Sequence, residues 1–207
     1  MTIVRILATV CALLFAALTA VVAAQPELAL DLTLRWPATQ HTGWLDITAT
    51  VIRFAASQLP LIAVLPLTVV LLWRKRRRDS LLLLTSFAAV LVTSVAVKLA
   101  VARPRPLQGV SGFPAAADET SYPSTSVALC VIFWGLLAAF HRSLRLLAIT
   151  FMALIGISRS YADDHWATDI LGGYLIGASA LATTLWIYHR KINDGRLASY
   201  ADERAND

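Results

Sequence analysis

Charge is scarce along this chain. Asp, Glu, Lys and Arg make up 15% of its 207 residues, against 57% that are hydrophobic. A soluble domain carries about 25% charged residues, so the shortage excludes an ordinary water-soluble fold and points to an integral membrane protein. Cysteine is nearly absent too: Cys11 and Cys130 lie inside apolar runs, far apart and without ligand spacing. That excludes a disulfide framework and a thiolate metal site. There is no long repeat and no low-complexity tract. Acidic residues number 13 against 18 basic ones, a net charge of +5. The basic excess sits in short clusters between apolar runs, which has a topological explanation, and nucleic acid is not an expected partner.

What is present is length of apolar sequence. Runs can be read at Ile3–Ala24, Ala55–Trp73, Ser80–Val101, Thr125–Phe140, Leu144–Ile157 and Ile170–Tyr188, against the roughly 17 to 25 residues a spanning helix needs. The fourth and fifth are short. The expected fold is all-α, a polytopic membrane helical bundle of about six transmembrane helices. It forms a single domain over residues 1–207, ending in a polar cytoplasmic tail at 193–207. Arg74–Arg78, then His141, Arg142 and Arg145, then His189–Lys191 fall on one side of such a bundle, and Arg5 agrees. The positive-inside rule makes that side cytoplasmic. Arg74–Arg78 is read as the flank of a span, although such a run also suits anionic headgroups.

Ile6–Ala24, ending in Val22-Ala23-Ala24, has the look of a signal peptide. Its apolar stretch exceeds the usual core of about 7 to 15 residues, which favours an uncleaved first span. Between the first two runs Trp36, Pro37, His41, Trp44 and Arg53 suit either an interfacial segment or a simple anchored loop. Gly172, Gly173 and Gly177 give the last run a small-residue face for close helix packing.

Three polar clusters break the apolar pattern. Lys98 and Arg105 frame a stretch in which Pro104 and Pro106 end any helix, leaving two cations near one membrane face. Ser124, Thr125 and Ser126 precede an apolar run, so their hydroxyls and unpaired backbone N–H groups lie at a helix N-terminus, an anion site. Arg159, His165 and Asp169 form the third cluster. His165 and Asp169 are spaced i, i+4 and share a face if the segment is helical. A carboxylate behind an imidazole fixes its tautomer and leaves a nucleophilic nitrogen in front. By contrast His41, His141 and His189 lack such company and receive no catalytic role. With six spans, all three clusters land opposite the basic loops, on the extracytoplasmic side.

The spacings Lys-x6-Arg-Pro, Pro-Ser-x-x and Ser-Arg-x5-His-x3-Asp resemble the three-part signature of the type 2 phosphatidic acid phosphatase superfamily, which includes bacterial lipid phosphatases and vanadium haloperoxidases. The first and third parts match residue for residue. The likeness spans Lys98 to Asp169 and the Ile170–Gly173 run after it, while the first 80 residues share hydropathy alone. It implies a membrane lipid phosphatase without metal or cofactor. His165 is then the nucleophile that forms a phosphohistidine, Asp169 steadies the imidazolium, and Lys98, Arg105, Ser124, Thr125, Ser126 and Arg159 bind the phosphate. Haloperoxidase activity is set aside, since those relatives are large and soluble.

One position departs from the pattern. Where the superfamily's second part usually ends in His, the general acid, this chain has Ser126. Losing such an acid costs on the order of 10² to 10⁴ in rate. A diphosphate, whose leaving group departs well unaided, loses less than a monoester, and this favours a polyprenyl diphosphate. Alternatives are a polyprenyl-linked phosphosugar, a phosphatidic acid or phosphatidylglycerophosphate type lipid, and, from another class, a lipid-phosphate-binding pseudoenzyme or scaffold. Asp163 and Asp164 are open to several readings: facing solvent, pairing with an arginine, serving as a substitute proton donor, or joining Asp169 in a metal site.

Overall fold

Segments that are apolar on every face have only two stable surroundings, other helices or lipid, and both demand that the backbone satisfy its own hydrogen bonds. The computed structural model is accordingly all-α and describes residues 2–35, 43–55, 59–106 and 120–205. Its helices are α1 (Thr2–Ala24), α2 (Ala29–Thr33), α3 (Gly43–Arg53), α4 (Leu59–Trp73), α5 (Arg77–Val101), α6 (Thr125–Phe140), α7 (Arg145–Tyr161) and α8 (Ala167–Ala205). A 3₁₀ turn, Arg142–Leu144, joins α6 to α7. Trp36, Pro37 and His41, read above as part of an interfacial segment, lie outside the described residues. The polar segment from residue 193 continues α8 as helix to Ala205.

Four described helical stretches are long and apolar enough to cross a membrane: Thr2–Ala24, Arg77–Val101, Arg142–Tyr161 and Ala167–Arg190. The expected six are not all reached on this measure. Ile62–Leu71 and Thr125–Phe140 are apolar but shorter. In α6 the physical reason is that polar chemistry begins at both ends, at Ser124 and at His141. Pro66 sits within α4 and removes one ladder hydrogen bond.

α6 is the hub. Every residue from Val127 to Leu136 is buried, enclosed by α5, α7 and α8. Trp134 stacks on Phe151 of α7 at 4.6 Å between ring centroids and meets Phe133 edge-on at 5.4 Å. α1 packs along α8 and turns Ile3, Leu7 and Leu13 outward, where they are exposed and suited to lipid. At the basic end, Leu71, Arg76, Asp79, Phe140 and His141 line one small cavity, so the end of α4, the start of α5 and the end of α6 lie together.

At the opposite end the chain is turned by local chemistry. α5 stops where Ala102 adopts a left-handed conformation (φ 47°) and its N–H returns to the Lys98 carbonyl. Pro104 bars any resumption of the helix. The chain comes back through a bridge between Pro104 and Thr120 and a 2.8 Å hydrogen bond from Ser121 N–H to the Arg103 carbonyl. α8 then lies almost backbone to backbone on α6. A Cβ added at Gly173 meets the Ser124 carbonyl oxygen at 2.6 Å, and one at Gly177 meets the Ala128 carbonyl oxygen at 2.9 Å. Two glycines at i, i+4 are the pattern that lets membrane helices approach this closely.

Gly173→Ala is therefore expected to destabilise the bundle by about 1 to 3 kcal/mol, because the opposing atom is backbone and cannot move aside. Gly43→Ala, with nothing within 4 Å of the new methyl group, is expected to stay within about 0.5 kcal/mol of the parent. Thermal unfolding of both variants in the same detergent checks the contrast.

Candidate active site

The ends of α5, α6 and α7 and the start of α8 converge, and the polar clusters converge with them. Ser124 is the N-cap residue of α6 but makes no side-chain cap hydrogen bond. Among the described residues, Ser124 Oγ and Thr125 Oγ1 are buried without a hydrogen-bond partner. Ser80 Oγ and Ser94 Oγ of α5 share that state, but Ser124 and Thr125 flank the positive end of a helix dipole, where an anion is stabilised. Ser126 Oγ accepts a 2.8 Å hydrogen bond from Arg159, which stands in the last turn of α7. α7 runs further than the apolar run predicted, through Ser158 and Arg159 to Tyr161, so Arg159 is carried by a rigid helix.

His165 lies in the short connection before α8 and is 5% exposed. Its Nδ1 is 3.0 Å from the Ser121 carbonyl oxygen. A carbonyl only accepts, so Nδ1 carries the proton and Nε2 the lone pair. The Asp169 carboxylate is also on the Nδ1 side, at 3.7 Å, and its Oδ2 accepts the Trp166 backbone N–H at 2.8 Å. The expected pairing of His165 with Asp169 on one helical face thus takes a different form. α8 begins only at Ala167, and the Ser121 carbonyl is the nearer partner of the imidazole. Burial pushes His165 down to about 4, only partly opposed by Asp169, while the charges of Arg159 and Arg105 add to the depression. The ring is neutral at physiological pH.

Lys98 donates to the carbonyls of Thr120 (2.6 Å) and Ser121 (3.4 Å), so it shares the Ser121 oxygen with His165. Arg105 donates to the Asp164 carbonyl at 3.1 Å, one residue before His165. The structure therefore gathers Lys98, Arg105, Ser124, Thr125, Ser126, Arg159, His165 and Asp169 at one end of the bundle.

The two adjacent carboxylates resolve into arginine partners. Asp163, at φ 55°, accepts Arg35 through both oxygens, and that contact raises Arg35 above its ordinary value. Asp164 lies between Arg159 (3.0 Å) and Arg53 (2.6 Å). Asp163, Asp164 and Asp169 do not assemble as ligands, since each is paired with different arginines, and no cation-binding group of three acidic, His or Cys residues occurs among the described residues.

Sequence reasoning missed the layer behind Asp169. Arg103, with 0% exposure, donates to Asp169 Oδ1 at 2.6 Å and to Asp31 Oδ2 at 2.5 Å. Asp31 in turn accepts both the backbone N–H and the hydroxyl of Thr168, each at 2.8 Å. The available signals were Arg103-Pro104 repeating as Arg105-Pro106, and Asp31 standing as a charge inside the apolar stretch Leu28–Leu34, a position that defaults to function in a membrane protein.

Residues 79–193, more than half of the chain, match the model of the PAP2 superfamily. The chain belongs to the PAP2 superfamily and is a multi-pass membrane hydrolase of the PAP2 phosphatase type. In fold it is similar to the crystal structure of the first transmembrane PAP2 type phosphatidylglycerolphosphate phosphatase from Bacillus subtilis. The TM-score is 0.71 at 20% identity, over 89% of this chain and 96% of that one. No curated protein matches the chain.

Because the nucleophile candidate must be neutral to react, its lowered value fixes the sign of a pH effect. The acid limb of kcat/KM, which reports the free enzyme, is expected near pH 4, well below the ordinary imidazole value of 6.5. Activity should hold as pH falls through 6.5 and decline only as it approaches 4. A pH–rate profile on purified protein checks this, and a limb at 6.5 contradicts it.

Proposed function

We propose that this chain removes phosphate from a lipid at the extracytoplasmic face of a cell membrane through a phosphohistidine intermediate. The observation that carries the reading is the 3.0 Å approach of His165 Nδ1 to the Ser121 carbonyl, which assigns the proton to Nδ1 and leaves Nε2 its lone pair, with the charges of Arg159 and Arg105 acting on the ring. In the proposed reaction Nε2 attacks phosphorus in line and the bond from phosphorus to the lipid oxygen breaks. The arginines hold equatorial oxygens through forked hydrogen bonds, and the Ser124 and Thr125 hydroxyls join them. Asp169 faces the imidazolium that forms. Water then cleaves the phosphorus–nitrogen bond, releasing phosphate and restoring the ring.

The sidedness follows from the basic loops, which lie at the opposite end of the bundle and are read as cytoplasmic. α4 and α6 serve in this reading as the two further spans of a six-span topology. The better supported substrate is a phospholipid monoester of the phosphatidic acid or phosphatidylglycerophosphate type, because the similar fold belongs to a phosphatase of phosphatidylglycerolphosphate. A second reading, a polyprenyl diphosphate, is favoured by one observation. Ser126 stands where an acid is usual, and among the described residues the adjacent carboxylates Asp163 and Asp164 are both held by arginines. In this reading the leaving oxygen of a monoester takes its proton from water.

Phosphate release from phosphatidylglycerophosphate, phosphatidic acid and a polyprenyl diphosphate, measured side by side in detergent with EDTA present, tests the proposal. His165→Ala is expected to lower the rate at least about a thousandfold, EDTA to leave it unchanged, and retained activity in His165→Ala would sink the mechanism. Ser126→His should raise monoester turnover about 10² -fold or more and diphosphate turnover less. Equal gains on both remove the case for the diphosphate.

A further inference from the structure

A nucleophilic imidazole that becomes phosphorylated turns cationic, and the carboxylate that the described residues place on its Nδ1 side, Asp169, is itself bound by a guanidinium. Arg103 on its own would cancel the charge that Asp169 presents. The second carboxylate on Arg103 changes that balance. Asp31, Arg103 and Asp169 are 1%, 0% and 0% exposed, so two negative charges and one positive one are sealed together with a net charge of −1.

From this geometry we infer that Asp31 and Arg103 are positioning residues that set how much negative charge Asp169 shows to His165, with Asp31 offsetting Arg103. The inference rests on His165 acting as the nucleophile. Among the described residues, the side-chain partners of both lie behind Asp169 rather than at Ser124 and Thr125. Arg103 is spent on Asp31, Asp169, Thr168 and the Pro26 carbonyl, and its guanidinium lies 5.3 Å from the Trp166 ring centroid. Asp31 is spent on Arg103 and Thr168. The fold delivers each from a different place: Arg103 from the turn after α5, Asp31 from the short α2, and Asp169 and Thr168 from the first turn of α8. The other charges facing the imidazole are Arg159 from α7 and Arg105 from the same turn as Arg103, with Lys98 of α5 on the shared Ser121 carbonyl. Asp163 and Asp164, next to His165 in the chain, are tied to Arg35, Arg53 and Arg159. With these committed, the buried Asp31–Arg103–Asp169 group is, among the described residues, the adjustable source of negative charge behind the ring.

The test changes charge while keeping shape. Asp31→Asn takes the group from −1 to 0, Arg103→Gln takes it to −2, and the paired variant returns it to −1. Asp31→Asn is expected to lower kcat about tenfold, the equivalent of one unit of lost electrostatic support, with KM within about twofold. Arg103→Gln is expected to move the acid limb of kcat/KM upward by about one pH unit. The pair should restore the parent limb and run faster than Asp31→Asn alone. A purely structural role predicts instead that the pair is at least as impaired as the worse single variant, and that result overturns the inference. If Asp31→Asn fails to fold by size exclusion but the pair folds with the parent limb, the charge balance is supported; a pair that does not fold, or folds with a displaced limb, overturns it. His165→Ala run in parallel separates the failures. Activity there removes the nucleophile, whereas an inactive His165→Ala beside an unresponsive Asp31 series removes only the present inference.

Discussion

A guanidinium with no exposure, at the end of a helix in a membrane protein, has to be met by carboxylates or it is not there at all. Arg103 is met by two, at 2.5 and 2.6 Å. Stripping one partner from such a buried group costs about 3 to 5 kcal/mol, so the α5 terminus, the connection after α1 and the start of α8 are fixed relative to one another. The Ser121 segment is bound to the same turn by backbone and hydroxyl contacts to the Arg103 and Pro104 carbonyls. That places the carbonyl against which His165 is oriented. The geometry of the His165 ring is thus set from behind, by the Asp31–Arg103–Asp169 group.

The second constraint is steric. α8 reaches α6 through Gly173 and Gly177, and the Asp169 carbonyl accepts the Ser124 N–H at 3.0 Å. The N-terminus of α6 and the first turn of α8 are therefore one unit, which joins the Ser124 and Thr125 hydroxyls to Asp169. Tyr122, fully buried, extends this unit to α1 through a 2.9 Å hydrogen bond with Thr19 and a stacked contact with Phe15.

Much of this was legible in the sequence, for identifiable reasons. Helical spans follow from uninterrupted apolar runs, and the ends of α1, α4, α5 and α6 fall at or near the residues where charge or proline begins. Lys98, Arg105, Arg159 and His165 were legible because ionisable groups at span ends are conspicuous and regularly spaced. The partners were not. Nothing in the spacing shows that Asp31 lies beside Thr168, since that depends on how a short helix after α1 folds over α8. The orientation of His165 by a carbonyl was equally invisible, because backbone groups leave no trace in residue type. The i, i+4 rule applied to His165 and Asp169 presumed a helix that starts two residues too late to include His165.

The enclosure of α6 has an electrical side. Its ten buried residues from Val127 to Leu136 keep water away from the peptide dipoles along most of the helix, so their aligned field is weakly screened there and emerges at the ends. One end meets the basic loop at His141 and Arg142. The other opens on Ser124, Thr125 and Ser126. A short helix insulated by its neighbours behaves as an internal electrode, holding a fixed positive potential at the place where, in the proposed reaction, a phosphate would give up its hydration shell.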